Sequence, residues 1–195
     1  KNTLNSENYS FDMNTSSIGS INFSSLRGVA YNGEFFALGE TDNKNIYIWK
    51  GIPGLNDEPD YIIQNPVGVG RIDMNDEWLV VSAYPGAGSP VHVINLTNLD
   101  SGIMLPVPGN DDFPQGVSIN EKGFFIALQG SNKVVGWSSV QDALNGSSPT
   151  MSFGGTTNKT NSGTKMASTV HWDGFHLWVG EFKFSNRLLG FAPSK

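Results

Sequence analysis

The amino-acid sequence predicts an all-β fold made of repeated four-stranded units. The first observation is compositional: the 195 residues include 23 glycines and 10 prolines, which favour short strands and frequent turns over long helices. The second is an internal repeat, since four segments align at a period of roughly 45 residues. The third is the pattern within each segment, where a short strand, a polar turn and an apolar strand follow one another as in a β-hairpin.

The four aligned hairpins provide the first two strands of each unit. They read GVAYNGEFFALGE, RIDMNDEWLVVSA, GVSINEKGFFIALQ and TVHWDGFHLWVGE, and they begin at Gly28, Arg71, Gly116 and Thr169. A third strand is predicted at a matching distance after each hairpin, over residues 46–49, 91–94, 134–137 and 188–191. A fourth strand is predicted over residues 61–64, 103–105 and 150–153. The last repeat therefore lacks a fourth strand.

The missing strand is predicted at the start of the chain, because SSIGS over residues 16–20 aligns with TMSFGG over residues 150–155. We expect residues 16–20 to pair with residues 188–191, since such pairing closes a ring of blades and removes its exposed edges. The predicted fold is thus a closed β-propeller of four four-stranded blades over residues 16–195, after an N-terminal tail of residues 1–15. The alternative is part of a larger six-bladed ring.

Composition also excludes several function classes. Charged residues make up only 15% of the chain and the formal net charge is −6, so the sequence has no basic field for nucleic acid. The absence of cysteine excludes disulfides, thiol nucleophiles and cysteine-ligated zinc. No apolar run of about 18 residues occurs, so membrane insertion is not expected. We predict no cofactor.

The repeat sequence resembles NHL-repeat propellers, especially the extracellular bacterial and archaeal ones. The segments that carry the resemblance are LRGVAYNGEFFALGETDNKNIYIWKGIP, PQGVSINEKGFFIALQGSNKVVGWSSV and SNRLLGF, and it extends over residues 16–193. The usual aspartate after the second strand is replaced by Glu40, Ala83, Gln129 and Glu181. The resemblance implies a propeller but not one activity, because the relatives include ligand-binding scaffolds, a lyase acting on hydroxyglycine peptides and more distant lactone hydrolases.

The innermost strands of a propeller line its channel, so their polar residues are the first candidates for a site. Asp73 and His171 occupy the same repeat position in opposite blades, with Arg71 close in sequence. They could bind a cation or act as an acid/base pair. The alternative is that each hydrogen-bonds the backbone of a neighbouring blade. The spacing of the three histidines shows no metal signature.

Two further residue sets allow more than one interpretation. Trp178 replaces smaller residues of the other repeats, so it either packs in the core or lies on the surface, where it could bind a sugar or a protein. Glu40 and Glu181 end the second strands of their repeats and are expected to be solvated turn carboxylates. Glycosylation sequons are most accessible at Asn95, Asn145 and Asn158.

The sequence therefore predicts a non-catalytic, extracellular or cell-surface propeller that binds a protein or a glycan, or has a structural role within a larger complex. The binding candidates are Arg71, Asp73, His171 and Trp178. The alternative is a metal-assisted hydrolase or lyase in the channel, lactonase-like or similar to the peptide-hydroxyglycine lyases, with Asp73 and His171 as its catalytic residues.

Overall fold

The computed structural model describes residues 15–84, 90–107, 113–155, 163–182 and 187–192. These residues form an all-β, four-bladed β-propeller, which confirms the predicted fold class. Two short strands, β1 (Ser17–Ile18) and β2 (Ile21–Asn22), precede the blades. The described part of the chain contains no helix long and apolar enough to cross a membrane.

The blades follow one another in chain order, and each is an antiparallel sheet that runs outward from the channel. Blade 1 comprises β3 (Leu26–Tyr31), β4 (Phe35–Glu40), β5 (Asn45–Lys50) and β6 (Tyr61–Gln64). Blade 2 comprises β7 (Ile72–Met74), β8 (Trp78–Val81), β9 (Val91–Asn95) and β10 (Asn98–Leu105). Blade 3 comprises β11 (Pro114–Asn120), β12 (Gly123–Leu128), β13 (Lys133–Trp137) and β14 (Met151–Gly154). The described strands of blade 4 are β15 (Ala167–Trp172), β16 (Leu177–Glu181) and β17 (Leu188–Phe191).

The turn between the first two strands of each blade is formed by the same side-chain chemistry. In blade 1, Asn32 Oδ1 accepts hydrogen bonds from the backbone N–H groups of Glu34 and Phe35, and Gly33 adopts a positive φ of 101°. Asn75, Asn120 and Asp173 accept equivalent backbone hydrogen bonds in the other three turns. An Asn or Asp side chain that bonds the backbone two residues on stabilises a tight turn. Each of these turns joins the first and second strands of its blade, so all four turns lie at the same end of the propeller.

The core lies between the blades, because the apolar faces of neighbouring sheets pack against each other. Ala37 and Ile48 of blade 1 pack with Leu79 and Val81 of blade 2 in one buried cluster. Blades 2 and 3 share a second cluster, and blades 3 and 4 share a third. At each of these three junctions the facing sheets thus bury apolar residues against each other, as sheets with two apolar faces require.

The predicted position of the first strand is wrong. Residues 16–20 do not complete blade 4, because β1 pairs with β2 in a two-stranded hairpin. We call residues 15–25 the N-terminal hairpin. Its residues Ile18, Ile21 and Phe23 pack on blade 1, against an apolar cluster that includes Leu38, Tyr47 and Trp49. Among the described residues no other blade covers this apolar face of blade 1, so its burial favours the hairpin over an edge position on β17.

Two other features differ from the prediction or lie beyond what the structure describes. A short helix, α1 (Val140–Leu144), follows β13, and the Ser139 side chain caps it by accepting the N–H of Asp142. Five residues are too few for a helical period to be evident in the sequence. The predicted tail lies outside the described residues except for Thr15.

Candidate functional site

The innermost strands of all four blades line a central cavity of about 610 Å³. Arg71, Asp73 and His171 all lie on its wall. The structure therefore brings the three predicted channel residues to one site. Trp178, the fourth binding candidate, does not line this cavity.

Asp73 is engaged by backbone groups through both carboxylate oxygens. Oδ1 accepts the N–H of Met74 at 3.0 Å, and Oδ2 accepts the N–H of Ile119 in blade 3 at 2.9 Å. Burial raises the pKa of Asp73, while hydrogen bonds from Ile119, Met74 and Ser118 and the charge of His171 act in the opposite direction. The carboxylate thus joins blade 2 to blade 3, as the structural interpretation of this residue predicts.

The same link recurs at the next junction. Ser118 occupies the position of Asp73 in blade 3, and its Oγ accepts the N–H of Trp172 in blade 4 at 3.3 Å. His171 occupies that position in blade 4, where it is exposed on the cavity wall. Its imidazole makes no hydrogen bond to any described residue. His171 is therefore a channel residue whose side chain is available to a ligand.

Arg71 contributes a positive charge at the wall of the cavity. Its Nη1 donates to the backbone carbonyl of Arg27 in blade 1 at 3.0 Å, and the side chain is exposed. The cavity thus combines one guanidinium, one backbone-bound carboxylate and one free imidazole. Within the described residues no group of three or more His, Asp or Glu side chains is placed to hold a metal ion.

A second candidate surface lies at the end of the propeller that carries the four turns. We call it the turn face and define it by residues 32–34, 75–77, 120–122 and 173–175. Its exposed acidic residues are Glu34, Asp76, Glu77, Glu121 and Asp173, whereas Lys122 is the one basic residue in these four turns. The turn face therefore has a negative charge excess.

An aromatic group projects from the turn face in blade 4. Phe175 is 75% exposed and occupies the turn position that is Glu34 in blade 1 and Glu77 in blade 2. Asp173 holds this turn, because its Oδ1 accepts the N–H groups of Phe175 and His176, each at 2.7 Å. The sequence-based predictions did not single out Phe175, although a phenylalanine at a turn position that is acidic in two other repeats indicates an exposed apolar residue.

Trp178, in β16, is hydrogen-bonded to the same turn. Its Nε1 donates to Asp173 Oδ2 at 2.7 Å, and its ring lies 5.6 Å from that of His176. The hydrogen bonds from Trp178, His176 and Phe175 hold the pKa of Asp173 well below its usual range. Trp178 is half-buried and packs over Gly190 of β17, so it presents only part of its ring.

The prediction that Glu40 and Glu181 are solvated turn carboxylates is wrong. Glu40 is buried and accepts hydrogen bonds from Ser24, Asn43 and Tyr47. Glu181 is also buried and binds the Arg187 guanidinium, with Nε to Oε2 at 2.7 Å and Nη2 to Oε1 at 2.8 Å. Both carboxylates have their partners, which compensate the cost of burial.

The predicted glycosylation sites differ in accessibility. Asn145 is exposed at the C-terminal cap of α1, where its Oδ1 accepts a hydrogen bond from Gln141 at 3.0 Å. Asn95 is half-buried at the end of β9, and its Oδ1 is bonded to Thr97. Asn158 lies outside the described residues.

Comparison with solved structures identifies chains of the same architecture. A chain from the nidogen/laminin complex matches with a TM-score of 0.62 and 12% identity, over 88% of this chain and 65% of that one. The computationally designed Ika4 protein matches with a TM-score of 0.60 and 10% identity, over 94% of this chain and all of Ika4. The designed Ika8 protein matches with a TM-score of 0.58 and 10% identity, over 91% of this chain and 50% of Ika8.

At these identities the likeness shows the fold alone. The chain spans half of Ika8 and just under two-thirds of the chain from the nidogen/laminin complex. No family model matches the sequence, and no curated protein sequence matches it. The β-propeller fold is thereby supported, while the NHL-repeat type stays a prediction.

Proposed function

We propose that this protein is a non-catalytic interaction module whose turn face binds a partner protein with a basic surface. The observation that carries the proposal is the charge and apolar character of the turn face. Five acidic side chains surround the channel at this end, and an exposed phenylalanine projects from the same end. The fold supports a generic protein-interaction role, and one chain of similar fold comes from a complex of two proteins, nidogen and laminin.

The turn face has the composition expected of an interaction surface. Phe175 provides an apolar anchor, and aromatic anchors surrounded by polar residues are the usual centres of protein-binding sites. Its backbone is held by Asp173, so little conformational entropy is lost on binding. Glu34, Glu77 and Glu121 give the same turn face a negative charge, which attracts a basic partner and opposes an acidic one.

Proximity labelling in native material tests this function. The unsubstituted chain is compared with a Phe175→Ala variant and with a Glu34→Gln/Glu121→Gln double variant. We expect both variants to lose the labelled partner, and we expect its binding to weaken as ionic strength rises, because exposed charge pairs are screened by salt. Equal labelling by all three proteins would reject the turn face as the binding site.

A matched control keeps this experiment specific. Ile103 is an exposed apolar residue of β10, at the outer edge of blade 2 and away from the turns. Ile103→Ala removes exposed apolar area without changing the turn face, so we expect partner labelling to be retained. Loss of the partner in this control would show that the contact depends on the outer surface instead.

A glycan partner is a second candidate, and the observation that favours it is the geometry of Trp178. Asp173 fixes the indole through Nε1, and the ring of His176 lies beside it. Aromatic faces in fixed positions suit stacking against sugar rings. Glycan-array binding that is lost in Trp178→Ala and retained in Phe175→Ala would favour this ligand, and the reverse result would favour a protein partner.

The catalytic alternative depends on the central cavity, where Asp73, His171 and Arg71 meet. A carboxylic acid with a raised pKa beside an imidazole is a reasonable acid/base pair. However, both Asp73 oxygens already accept backbone hydrogen bonds. Turnover of a lactone or peptide substrate that Asp73→Asn abolishes, without loss of folding, would replace the proposed function with this one.

We further propose a location at the cell surface. The support is the set of sequons, of which Asn145 lies exposed beside α1. An oligosaccharyltransferase needs such an accessible asparagine in an Asn-x-Ser/Thr sequence. Glycans on native material test the location.

A further inference from the structure

Three of the four blade junctions are packed through the innermost strands. β3 packs on β7, β7 on β11, and β11 on β15. By contrast, β15 of blade 4 and β3 of blade 1 barely approach each other. We call the place where blade 4 faces blade 1 the terminal junction. Among the described residues it is the junction that stays open.

The blade 1 side of the terminal junction is incompletely covered. Val29 is 61% exposed, whereas Ile72 at the same repeat position in blade 2 is 7% exposed because blade 1 covers it. Tyr31 is likewise exposed, while its counterpart Met74 is buried. The N-terminal hairpin covers the outer part of this face, around Trp49, and leaves the innermost strand open.

The blade 4 side of the terminal junction is also open. Leu188 is 68% exposed on the third strand of blade 4. Its counterparts Ile46 and Val134 are fully buried, because the following blade packs on them. Both faces of the terminal junction therefore carry apolar residues at positions that every other junction buries.

The hydrogen bonds between blades show the same missing partner. At two junctions, the central side chain of one innermost strand accepts a backbone N–H from the next blade: Asp73 from Ile119, and Ser118 from Trp172. At the terminal junction the corresponding pair is the His171 imidazole and the N–H of Tyr31. A neutral imidazole offers one acceptor nitrogen. His171 has no hydrogen-bond partner among the described residues, so the terminal junction lacks the hydrogen bond that those two junctions have.

We propose that a second copy of this chain docks at the terminal junction, with blade 4 of each chain against blade 1 of the other. These two faces correspond to the faces that pack against each other at the other three junctions. The repeat therefore makes them complementary. Two such junctions related by a two-fold axis close a cyclic dimer. The fold of this chain also matches half of the longer Ika8 chain. Self-association through this surface is independent of the turn face.

Sedimentation equilibrium of the full chain over a range of concentrations tests the proposal. We expect the mass to rise from 21.1 kDa towards twice that value. Only the inner part of the blade 1 face is open, so we expect half-association in the range of about 1–100 μM. A monomer at about 1 mM would overturn the proposal, since it would mean that the junction is covered within a single chain.

Two substitutions then test which surfaces are used. Val29→Asp places a charge on the blade 1 face, and Leu188→Asp places one on the blade 4 face. Both residues are exposed in the single chain, so each variant should fold with an unchanged melting temperature. We expect each variant alone to be a monomer, because every junction of the dimer then contains a buried, unpaired charge. A dimer of normal affinity in either variant would contradict docking at the terminal junction.

Mixing the variants distinguishes this arrangement from contact between like faces. The intact blade 4 face of Val29→Asp can dock on the intact blade 1 face of Leu188→Asp, so an equimolar mixture should regain a dimer with one junction and weaker affinity. Monomers in the mixture would reject the head-to-tail geometry. Ile103→Asp is the control, because Ile103 is an exposed apolar residue of β10 in blade 2, which has no part in the terminal junction, and its substitution should leave the dimer intact.

Discussion

The Asp73 carboxylate in blade 2 accepts a hydrogen bond from the backbone N–H of Ile119 in blade 3 at 2.9 Å. An acidic residue on the wall of the central cavity therefore serves as a link between blades. The Ser118 hydroxyl makes the equivalent link to Trp172. Asp73, the channel residue proposed as a catalytic acid or base, thus also has a clear structural role.

Removal of this link should destabilise the propeller. We expect Asp73→Ala to lower the free energy of unfolding by about 1–3 kcal/mol, because the buried N–H of Ile119 loses its acceptor. Asp73→Asn should lower the free energy of unfolding by less, since its side-chain carbonyl still accepts one hydrogen bond. Urea unfolding at neutral pH measures both variants. His171→Ala is the control, and its free energy of unfolding should stay within about 0.5 kcal/mol of the wild-type value, because that side chain is exposed and makes no hydrogen bond to a described residue. Equal stability of all three variants would argue against the link.

The buried Glu40 carboxylate should make stability depend on pH. Burial alone would raise the pKa of Glu40, but hydrogen bonds from Ser24, Asn43 and Tyr47 outweigh it and lower the pKa below the ordinary value of 4.5. The folded pKa is thus below the unfolded pKa, so the stabilisation is present above pH 4.5 and is lost as the pH falls through the folded pKa.

The comparison of wild-type protein with Glu40→Gln tests this dependence. We expect the melting temperature of Glu40→Gln to be lower at pH 7 and the difference to shrink as the pH falls below the ordinary glutamate pKa. Glu34→Gln changes an exposed carboxylate and should show only a small difference at every pH. A pH-independent difference for Glu40→Gln would mean that packing, and not charge, stabilises this site.

The N-terminal hairpin should contribute strongly to the stability of blade 1. Ile18 is 1% exposed and packs in the cluster of Leu38, Tyr47 and Trp49. We expect Ile18→Ala to cost about 2–5 kcal/mol, because it removes buried methyl groups and leaves a cavity. Denaturant unfolding followed by tryptophan fluorescence measures the loss. Ile62→Ala, at an exposed position, should change stability little, and a similarly small effect of Ile18→Ala would contradict the packing of the hairpin on blade 1.

Asn145 should carry a glycan in protein isolated from its natural source. The side chain is exposed at the end of α1, and the sequence LNGSSP places a serine two residues after it. We expect the intact mass of native material to exceed 21.1 kDa and Asn145→Gln to remove one glycan from the mass. Native protein with the mass of the bare chain would reject both the modification and its support for a cell-surface location.

Much of the propeller follows from patterns within single repeats. The predicted third strand at residues 46–49 lies within β5 (Asn45–Lys50), and the predicted outer strand at 61–64 coincides with β6 (Tyr61–Gln64). Alternating apolar residues and turn-forming side chains act over a few residues, so a single repeat contains the information for its own strands. The repetition of this pattern predicts blades and, with them, a channel lined by Asp73 and His171.

The contacts between repeats depend on the assembled ring. In the sequence, Glu40 has the pattern of a solvated turn residue. In the folded chain, Ser24 donates two hydrogen bonds to its carboxylate, from the backbone N–H and the side-chain hydroxyl. Residues 16–20 have the pattern of a fourth strand, yet Ile18 packs on a face of blade 1 that no other described blade covers. The burial of a side chain, and hence the partner it binds, depends on which sheets lie on either side of it. That arrangement appears only when the four sheets pack together, because a local sequence pattern specifies a strand but not the surface that the strand will face.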